Sequence, residues 1–471
     1  MKNGWAMEEF SNISLGDERL NKRLIKICDS FSEAPESPIN QACTDWAETK
    51  AAYRFFKNEN VKVKNILKAH GKKTAERAQK HKTILAVQDT SYFSYTTHKQ
   101  TKGLGKITIK KRENKKDKIT TGLIMHTSLG LTINGLPLGL LDQKIFSRIN
   151  YPEDRNHRDI PIEDKESYKW LESLKNTKDV LKDIEVVTVC DREADIYEFF
   201  KLSYEINSPV LVRAKANRTV NKNSKCSEIN NLKLWEFMEN QPVMGEFDVE
   251  VPARDNKPSR IATLKLKFGS FMLNPSSTNI KHNTNKLPGL KMYAVFVYEK
   301  NPPSDIDPLE WMLLTNLKVN NFDEAFEKVC WYCLRWRIEM FHKVLKSGFR
   351  VEDCRLGEAD RLIKYLTVMS IVAYKIFMIT LIARTNPDLP CTLYLGDDEW
   401  KVLYVKVKKK NKFPKKTPKI RDVVIWISQL GGFLARKGDG HPGTITLWRG
   451  WKRLADLTEG WNLAMQDYTC G

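Results

Sequence analysis

The sequence is short of acid. Against 78 Lys and Arg it sets 58 Asp and Glu, giving a formal charge of +20 over 471 residues and a pI near 9.3. That balance calls for a polyanionic partner, nucleic acid first and an anionic membrane surface second. It also lacks a cysteine framework: nine cysteines are scattered, odd in number and without regular spacing, which argues against a disulfide scaffold and for a reducing cytoplasm. Cys330 and Cys333 make a CxxC with no second CxxC or HxxxH to complete a tetrahedral zinc site. The most apolar stretch, Leu362 to Ala383, is interrupted by Lys364 and Lys375. It falls short of the roughly 18 uninterrupted apolar residues of a spanning helix, and reads as a buried or interface helix. The start, MKNGWAMEEF, carries acids and no apolar core of a signal peptide. No membrane partner is expected.

The length implies two to four domains at about 100 to 200 residues each. Residues 1–75 read as helices with polar breaks, over Asp17 to Phe31 and Asp45 to Asn58, with a Pro-marked loop from Glu33 to Ile39. In the second helix Lys50, Arg54 and Lys57 share one face, which is either a DNA-contacting surface or a solvated basic helix. From Thr83 the period changes. Thr83 to Gln88 is a short apolar run of the kind buried central strands show, and it is expected to end on Asp89. A carboxylate there sits at the rim of a sheet, a usual place for chemistry in open α/β folds.

A cationic loop follows, Lys99 to Lys118, with Lys110, Lys111, Arg112, Lys115 and Lys116; nucleic acid is its natural neutraliser. Strands are expected over Thr120 to Leu131 and Leu136 to Ile145, then a polar loop with Asp154, Arg155 and Asp159, then a helix from Ile162 to Leu174. Ile184 to Cys190 repeats the buried-strand pattern and delivers a second carboxylate, Asp191, in Cys-Asp-Arg-Glu-Ala-Asp. Pro209 to Lys215 is a further strand closing with Arg213 and Lys215. Residues 216–321 read as a β-rich insertion whose last strand, Leu309 to Thr315, carries Trp311. Beyond residue 356 the chain reads as helical, with eight lysines between Lys406 and Lys419 that are either a solvated linker or a phosphate contact.

Between these parts lies Trp331 to Gly348, WYCLRWRIEMFHKVLKSG, with no Pro or Gly before its end, which reads as one helix. At about 100° per residue, Tyr332, Arg335, Glu339 and Lys346 fall within a strip about 60° wide, beside an apolar stripe. An Arg335/Glu339 surface pair explains that strip with a few tenths of a kcal/mol; partners for Glu339 elsewhere in the chain give it a purpose. Asp89 and Asp191 are such partners. Three carboxylates in a basic chain suit a pair of Mg²⁺ or Mn²⁺ ions, which take carboxylate oxygens and leave positions for water and phosphate. Arg335, Lys346 and Tyr332 would then hold the phosphates of a strand end.

The spacing Tyr332-x2-Arg335-x3-Glu339-x6-Lys346 resembles the YREK signature of the insertion-sequence-four family of bacterial DDE transposases, and RWRIEMFHK, CDREAD and PLEWMLLT resemble the Tn5 transposase group. The resemblance runs from the N-terminal GDERL and AYRFFKN to the tail. It implies a mixed α/β fold: an RNase H-like catalytic core over residues 76–355 with the β-rich insertion, an all-α N-terminal domain over 1–75 that binds DNA ends, and a mainly helical C-terminal dimerisation domain over 356–471. It implies a metal-binding triad of Asp89, Asp191 and Glu339 with two Mg²⁺ or Mn²⁺ ions, and a phosphate clamp of Tyr332, Arg335 and Lys346. Trp311 is implied to stack a base flipped from the transposon end, as an aromatic face can, and Arg54, Arg192, Arg213 and Lys215 to contact DNA. The implied activity is cut-and-paste transposition through a hairpin intermediate by a homodimer on double-stranded DNA, without a small-molecule substrate, in the bacterial cytoplasm at the nucleoid. A stand-alone RNase H-like nuclease and a non-cleaving DNA-binding descendant are the rival expectations.

Overall fold

The computed structural model describes residues 4–110, 118–148, 160–222, 231–251, 258–275, 287–304 and 306–467. Lys111, Arg112, Lys115 and Lys116 of the cationic loop, and Asp154, Arg155 and Asp159 of the polar loop, lie outside them. In chain order the described strands are β1 (Thr83–Ser94), β2 (Gly105–Lys110), β3 (Lys118–Thr132), β4 (Pro137–Phe146), β5 (Glu185–Cys190), β6 (Val210–Arg213), β7 (Thr219–Lys222), β8 (Asn231–Lys233), β9 (Gly245–Val251), β10 (Arg260–Leu273), β11 (Leu290–Glu299) and β12 (Glu310–Thr315). With the helices between them they make a mixed α/β protein. The chain divides into two compact units, one of residues 1–80, 90–150 and 337–471, the other of residues 81–89 and 151–336.

The second unit is the more sheet-like. Ile84 to Val87 are fully buried, as expected of a strand covered on both faces, and β1 pairs in parallel with β5 from Thr83↔Glu185 to Val87↔Val189. β5 pairs in parallel with β6; β6, β12, β11 and β10 then continue antiparallel, with β9 and β7 on β10. In β9 exposure alternates residue by residue, the signature of a strand with one face in solvent. Helices Tyr168–Val180, Tyr197–Glu205 and Leu234–Glu239 pack their aromatic and aliphatic residues, Trp170, Phe199, Phe200 and Phe237 among them, against Val210, Val212, Met292 and Leu314 in one core. The helix Phe322–Cys333 starts at Asn321, whose side chain accepts from the Glu324 N–H at 2.9 Å and satisfies a first-turn donor.

The first unit is mainly helical. Helix Glu18–Glu33 begins at Asp17 and helix Trp46–Lys57 at Asp45, each carboxylate accepting a backbone N–H of the first turn. Phe31, Phe56 and Tyr365 meet edge-on and stacked, which ties these helices to Ala359–Thr385. That helix is long and apolar enough to cross a membrane by length and composition, with 89% of its most apolar window buried in the fold, so it is the buried helix expected. Ile420–Leu430 and Thr444–Asp467 cross at glycine: a Cβ on Gly450 would stand 1.6 Å from the Ile427 carbonyl oxygen, and one on Gly431 1.8 Å from that of Thr446. The two backbones touch only because neither residue has a side chain.

Two sequence expectations are corrected. β1 does not end on Asp89: it runs to Ser94, and burial turns from continuous to alternating beyond the carboxylate. Trp331 to Gly348 is not one helix. The first helix closes at Cys333, Leu334 and Arg335 form a turn in which the Arg335 N–H donates to the Tyr332 carbonyl at 3.0 Å, and Trp336–Lys343 is a separate helix. Val344–Gly348 is then a π turn, with the Phe349 N–H on the Val344 carbonyl. No Gly or Pro marks the break at Leu334, which is why helical periodicity alone ran through it.

Candidate nucleic-acid cleavage site

Two strands of the second unit bring the aspartates to one level. The parallel register sets Val87 opposite Val189, so Asp89 and Asp191 follow two residues later on neighbouring strands, both half-buried. Asp191 leaves β5 and caps the short 3₁₀ turn Arg192–Ala194, its Oδ1 accepting from the Glu193 N–H at 2.9 Å. Burial raises the Asp191 carboxyl above the ordinary range and the charge of Asp89 adds to the rise, while the Glu193 N–H, Arg335 and Lys169 oppose it. The Arg335 Nη1 lies 3.9 Å from Asp89 Oδ1. Arg335 therefore reaches the carboxylates from the turn that breaks the motif helix.

Cations gather beside them. The Arg335 guanidinium lies 5.8 Å from the centre of the Tyr332 ring, and both Arg335 and Arg213 hydrogen-bond the Tyr332 side chain. Burial raises the Tyr332 phenol, with the two guanidiniums pulling the other way. Burial likewise depresses Arg213, and the nearby charges of Arg192 and Arg335 deepen the effect. Three guanidiniums held within each other's field repel, and an anionic group such as a carboxylate or a phosphodiester relieves them. Trp311, on β12, is half-buried, its ring centre 6.4 Å from that of Tyr332 at a tilt of 54°. Arg213 sits opposite Leu313 on the neighbouring strand and donates to the Glu310 carbonyl at 2.9 Å. Thus Asp89, Asp191, Tyr332, Arg335, Trp311, Arg192 and Arg213 all belong to the second unit, where contacts run from Asp89 through Arg335 and Tyr332 to Trp311 and Arg213.

Lys215 is exposed beyond the end of β6, and its backbone N–H donates to Asp195 Oδ2 at 2.8 Å. Glu339, Lys346 and Arg54 belong to the first unit. Glu339 is half-buried in the first turn of Trp336–Lys343. Lys346 lies on the π turn with its ammonium 5.3 Å from the centre of the Phe93 ring. Arg54 is exposed with Lys50 and Lys57 on Trp46–Lys57. Among the described residues no three His, Cys, Asp or Glu side chains are gathered as a metal-binding cluster. Asp89 and Asp191 by themselves have the donor chemistry of a hard divalent cation: two carboxylates at one register level of neighbouring strands, one of them raised by burial and by the other's charge. The residues present fit such an ion.

Some participants had no assigned role in the sequence. Lys169, on Tyr168–Val180, is buried and stands 3.1 Å from Glu166 and 3.8 Å from Glu193; nothing in its local sequence marks it. Asp195 closes CDREAD. Its fully buried carboxylate pairs with Arg218 and accepts from the Lys215 and Ala216 N–H groups, so it fastens the turn that carries Asp191 to the chain leaving β6. Its place inside the acidic motif was the available signal. Cys330 and Cys333 are exposed free thiols.

Two family models match the chain. One, described as transposase DNA-binding, covers residues 2–61; the other, the transposase Tn5 dimerisation domain, covers residues 371–470. Among solved structures, the piggyBac transposase synaptic complex with hairpin DNA, determined by cryo-EM, aligns at 10% identity and a TM-score of 0.32 over 71% of this chain. The present chain spans about half, 54%, of that protein's length.

Proposed function

We propose that this chain, whose two matched ends support a transposase of the Tn5 and insertion-sequence-four kind, is a divalent-metal-dependent enzyme that excises and inserts DNA by phosphoryl transfer on an RNase H-like core. The observation that carries the reading is the pairing of Asp89 and Asp191 at one register level with Arg335 beside them. Carboxylates alone would repel a DNA backbone, and arginines alone would bind it without cutting.

In this reading Asp89, Asp191 and Glu339 hold two Mg²⁺ or Mn²⁺ ions. When bound, the ions supply activation of the attacking oxygen and charge stabilisation of the leaving one. The chain's own residues do the positioning. Arg335, with Arg213 and Arg192, grips the phosphates flanking the scissile bond, and the Tyr332 hydroxyl, held by two guanidiniums, fixes their spacing. Lys346 contributes a further cation to the strand end. Trp311 offers a partly exposed ring to a base displaced from the duplex, which favours excision through a hairpin. Arg54 and Lys215 contact the DNA, Arg54 from the region matched by the DNA-binding model. Residues 1–75 bind the terminal inverted repeats, residues 76–355 form the catalytic domain and residues 356–471 pair two copies of the chain. The enzyme works in the bacterial cytoplasm.

The test is incubation of purified protein with Mg²⁺ and DNA carrying the inverted repeats that flank the gene. Hairpin-ended excision products are expected. Cleavage with no preference for those ends would make the protein a nuclease, and end binding without cleavage would make it a non-cleaving descendant.

A further inference from the structure

The eight lysines of Lys406 to Lys419 have no part in the site just described. From Trp400 to Arg421 the chain holds nine lysines, one arginine and no acid. Such a run in an unstructured linker is ordinary, but this one is built into the fold. Helix Asp397–Lys408 stops at Lys409, whose φ of 53° turns the chain. Phe413 then folds back onto the helix, its ring 5.9 Å from that of Trp400 and 6.2 Å from that of Tyr404. Tyr404 in turn packs 5.8 Å from Trp426. The far end is pinned as well: the Cys391 N–H donates to the Pro418 carbonyl at 2.9 Å and the Ile420 N–H to that of Leu389 at 2.7 Å.

Between these anchors Lys409, Lys410, Lys412, Lys415 and Lys416 are all exposed. Among the described residues none of the five is ion-paired; Asp388 takes only Lys419 and Arg421, at the base of the turn. Five like charges carried on eight consecutive residues repel, most strongly where they come within a Debye length of roughly 8 Å in physiological salt. Packing of the partly buried Phe413 against the C-terminal core holds the turn together against that repulsion.

We propose that this turn is a sequence-independent binding surface for the phosphates of a second duplex, the DNA into which the excised element is inserted. The assignment to inserted-into DNA rests on the transposase reading above. Duplex DNA carries one charge about every 1.7 Å of its axis and rewards a row of closely spaced ammonium groups by counterion release. A lipid surface fits less well. Membrane-seeking basic segments present apolar side chains for insertion, whereas here Val407 and Phe413 pack against the core of the C-terminal helices.

The experiment compares the full-length protein with a variant bearing Lys409→Gln, Lys410→Gln, Lys412→Gln, Lys415→Gln and Lys416→Gln. Binding to a plain duplex without inverted repeats is measured against salt, together with excision and insertion in Mg²⁺. With a slope of about 0.9 per phosphate contact, loss of five contacts should weaken the salt dependence by up to about 4.5 in log–log slope, and insertion should fall more than excision. A second variant, Phe413→Ala, keeps every charge and frees the turn; it should lose part of the same affinity, separating an organised surface from net charge. An unchanged slope and unchanged insertion would overturn the proposal. So would loss of binding to phosphatidylserine vesicles with plain-duplex binding intact, which would make the turn a membrane contact. If the wild-type protein fails to excise end-bearing DNA, the transposase reading fails, while the salt slopes still decide whether the lysine turn binds duplex.

Discussion

Asp89 and Asp191 stand at one level of two adjacent parallel strands: the offset of 102 residues that pairs Thr83 with Glu185 also separates the two aspartates. The register of β1 on β5 thus decides that the carboxylates face the same neighbourhood, and a slip of one residue would send one of them to the opposite side of the sheet.

That pairing makes the metal-free protein carry two like charges in partial burial. Asp89→Asn, Asp191→Asn and Glu339→Gln should each lower Mg²⁺-dependent cleavage by about a thousandfold or more, the several kcal/mol a lost metal ligand removes, while binding of the ends survives in a mobility-shift assay. Because the Asp191 carboxyl is raised, its ionised form works against folding above the unfolded pKa. Asp191→Asn should therefore leave the melting temperature of the metal-free protein unchanged or higher at neutral pH. Residual cutting at wild-type rate by any of the three would remove it from the triad.

Trp311→Ala should slow the hairpin step more than the initial binding of the ends, by about tenfold or more, since stacking of one base is worth about 1–3 kcal/mol. Single-turnover gels that resolve nicked from hairpin-ended DNA make the comparison. Equal loss in binding and in hairpin formation would show the ring to be packing only.

The fully buried Asp195 carboxylate pairs with the partly exposed Arg218, 23 residues away, and also holds two backbone N–H groups. Breaking one partner leaves the other charge uncompensated, so Asp195→Ala should cost about 3–5 kcal/mol in denaturant unfolding. Pairing it with Arg218→Met should recover part of that loss. Additive losses in the double variant would show that the two side chains do not act together.

In the first unit His70 is fully buried, its Nδ1 2.6 Å from Glu9 Oε1 and its Nε2 accepting the Leu140 N–H at 2.8 Å. Protonating Nε2 would displace that N–H. Burial lowers the His70 pKa below its ordinary 6.5 despite Glu9, and Glu9 itself is lowered to about 2, its contacts with His70 and Arg77 outweighing burial. Both depressed values have the same sign: each group's contribution is present above its unfolded pKa and lost as pH falls through its folded one. Melting temperature should drop as pH falls from 6.5, and again below 4.5 toward 2. His70→Gln should flatten the upper part of that profile; an unchanged profile would remove His70 from it.

The apolar runs before Asp89 and Asp191 were readable as buried strands, because Ile84 to Val87 and Val186 to Val189 leave no polar face for solvent. The helix starts at Asp17 and Asp45 were readable too, and each side chain there reaches a first-turn N–H group. The turn at Leu334 and Arg335 was not, since WYCLRWRIEM contains no breaker and helical propensity runs straight through it. The end of β1 was misjudged because continuous burial gives way to alternation at Asp89, and alternation on its own does not say where a strand stops. Asp195 was visible as a motif residue but not as a fastener, because its partner Arg218 is distant along the chain.

By itself, then, the sequence determined the chemistry that is present: carboxylates after apolar strands, an aromatic and basic segment, an acid-free lysine run, and their order. Tertiary structure alone decided which of these meet. Register brought Asp191 level with Asp89, an unmarked turn aimed Arg335 at Asp89, and Phe413 made a surface of the lysines. These meetings depend on how elements pack, the first two between residues far apart in sequence, and local propensity carries no term for them.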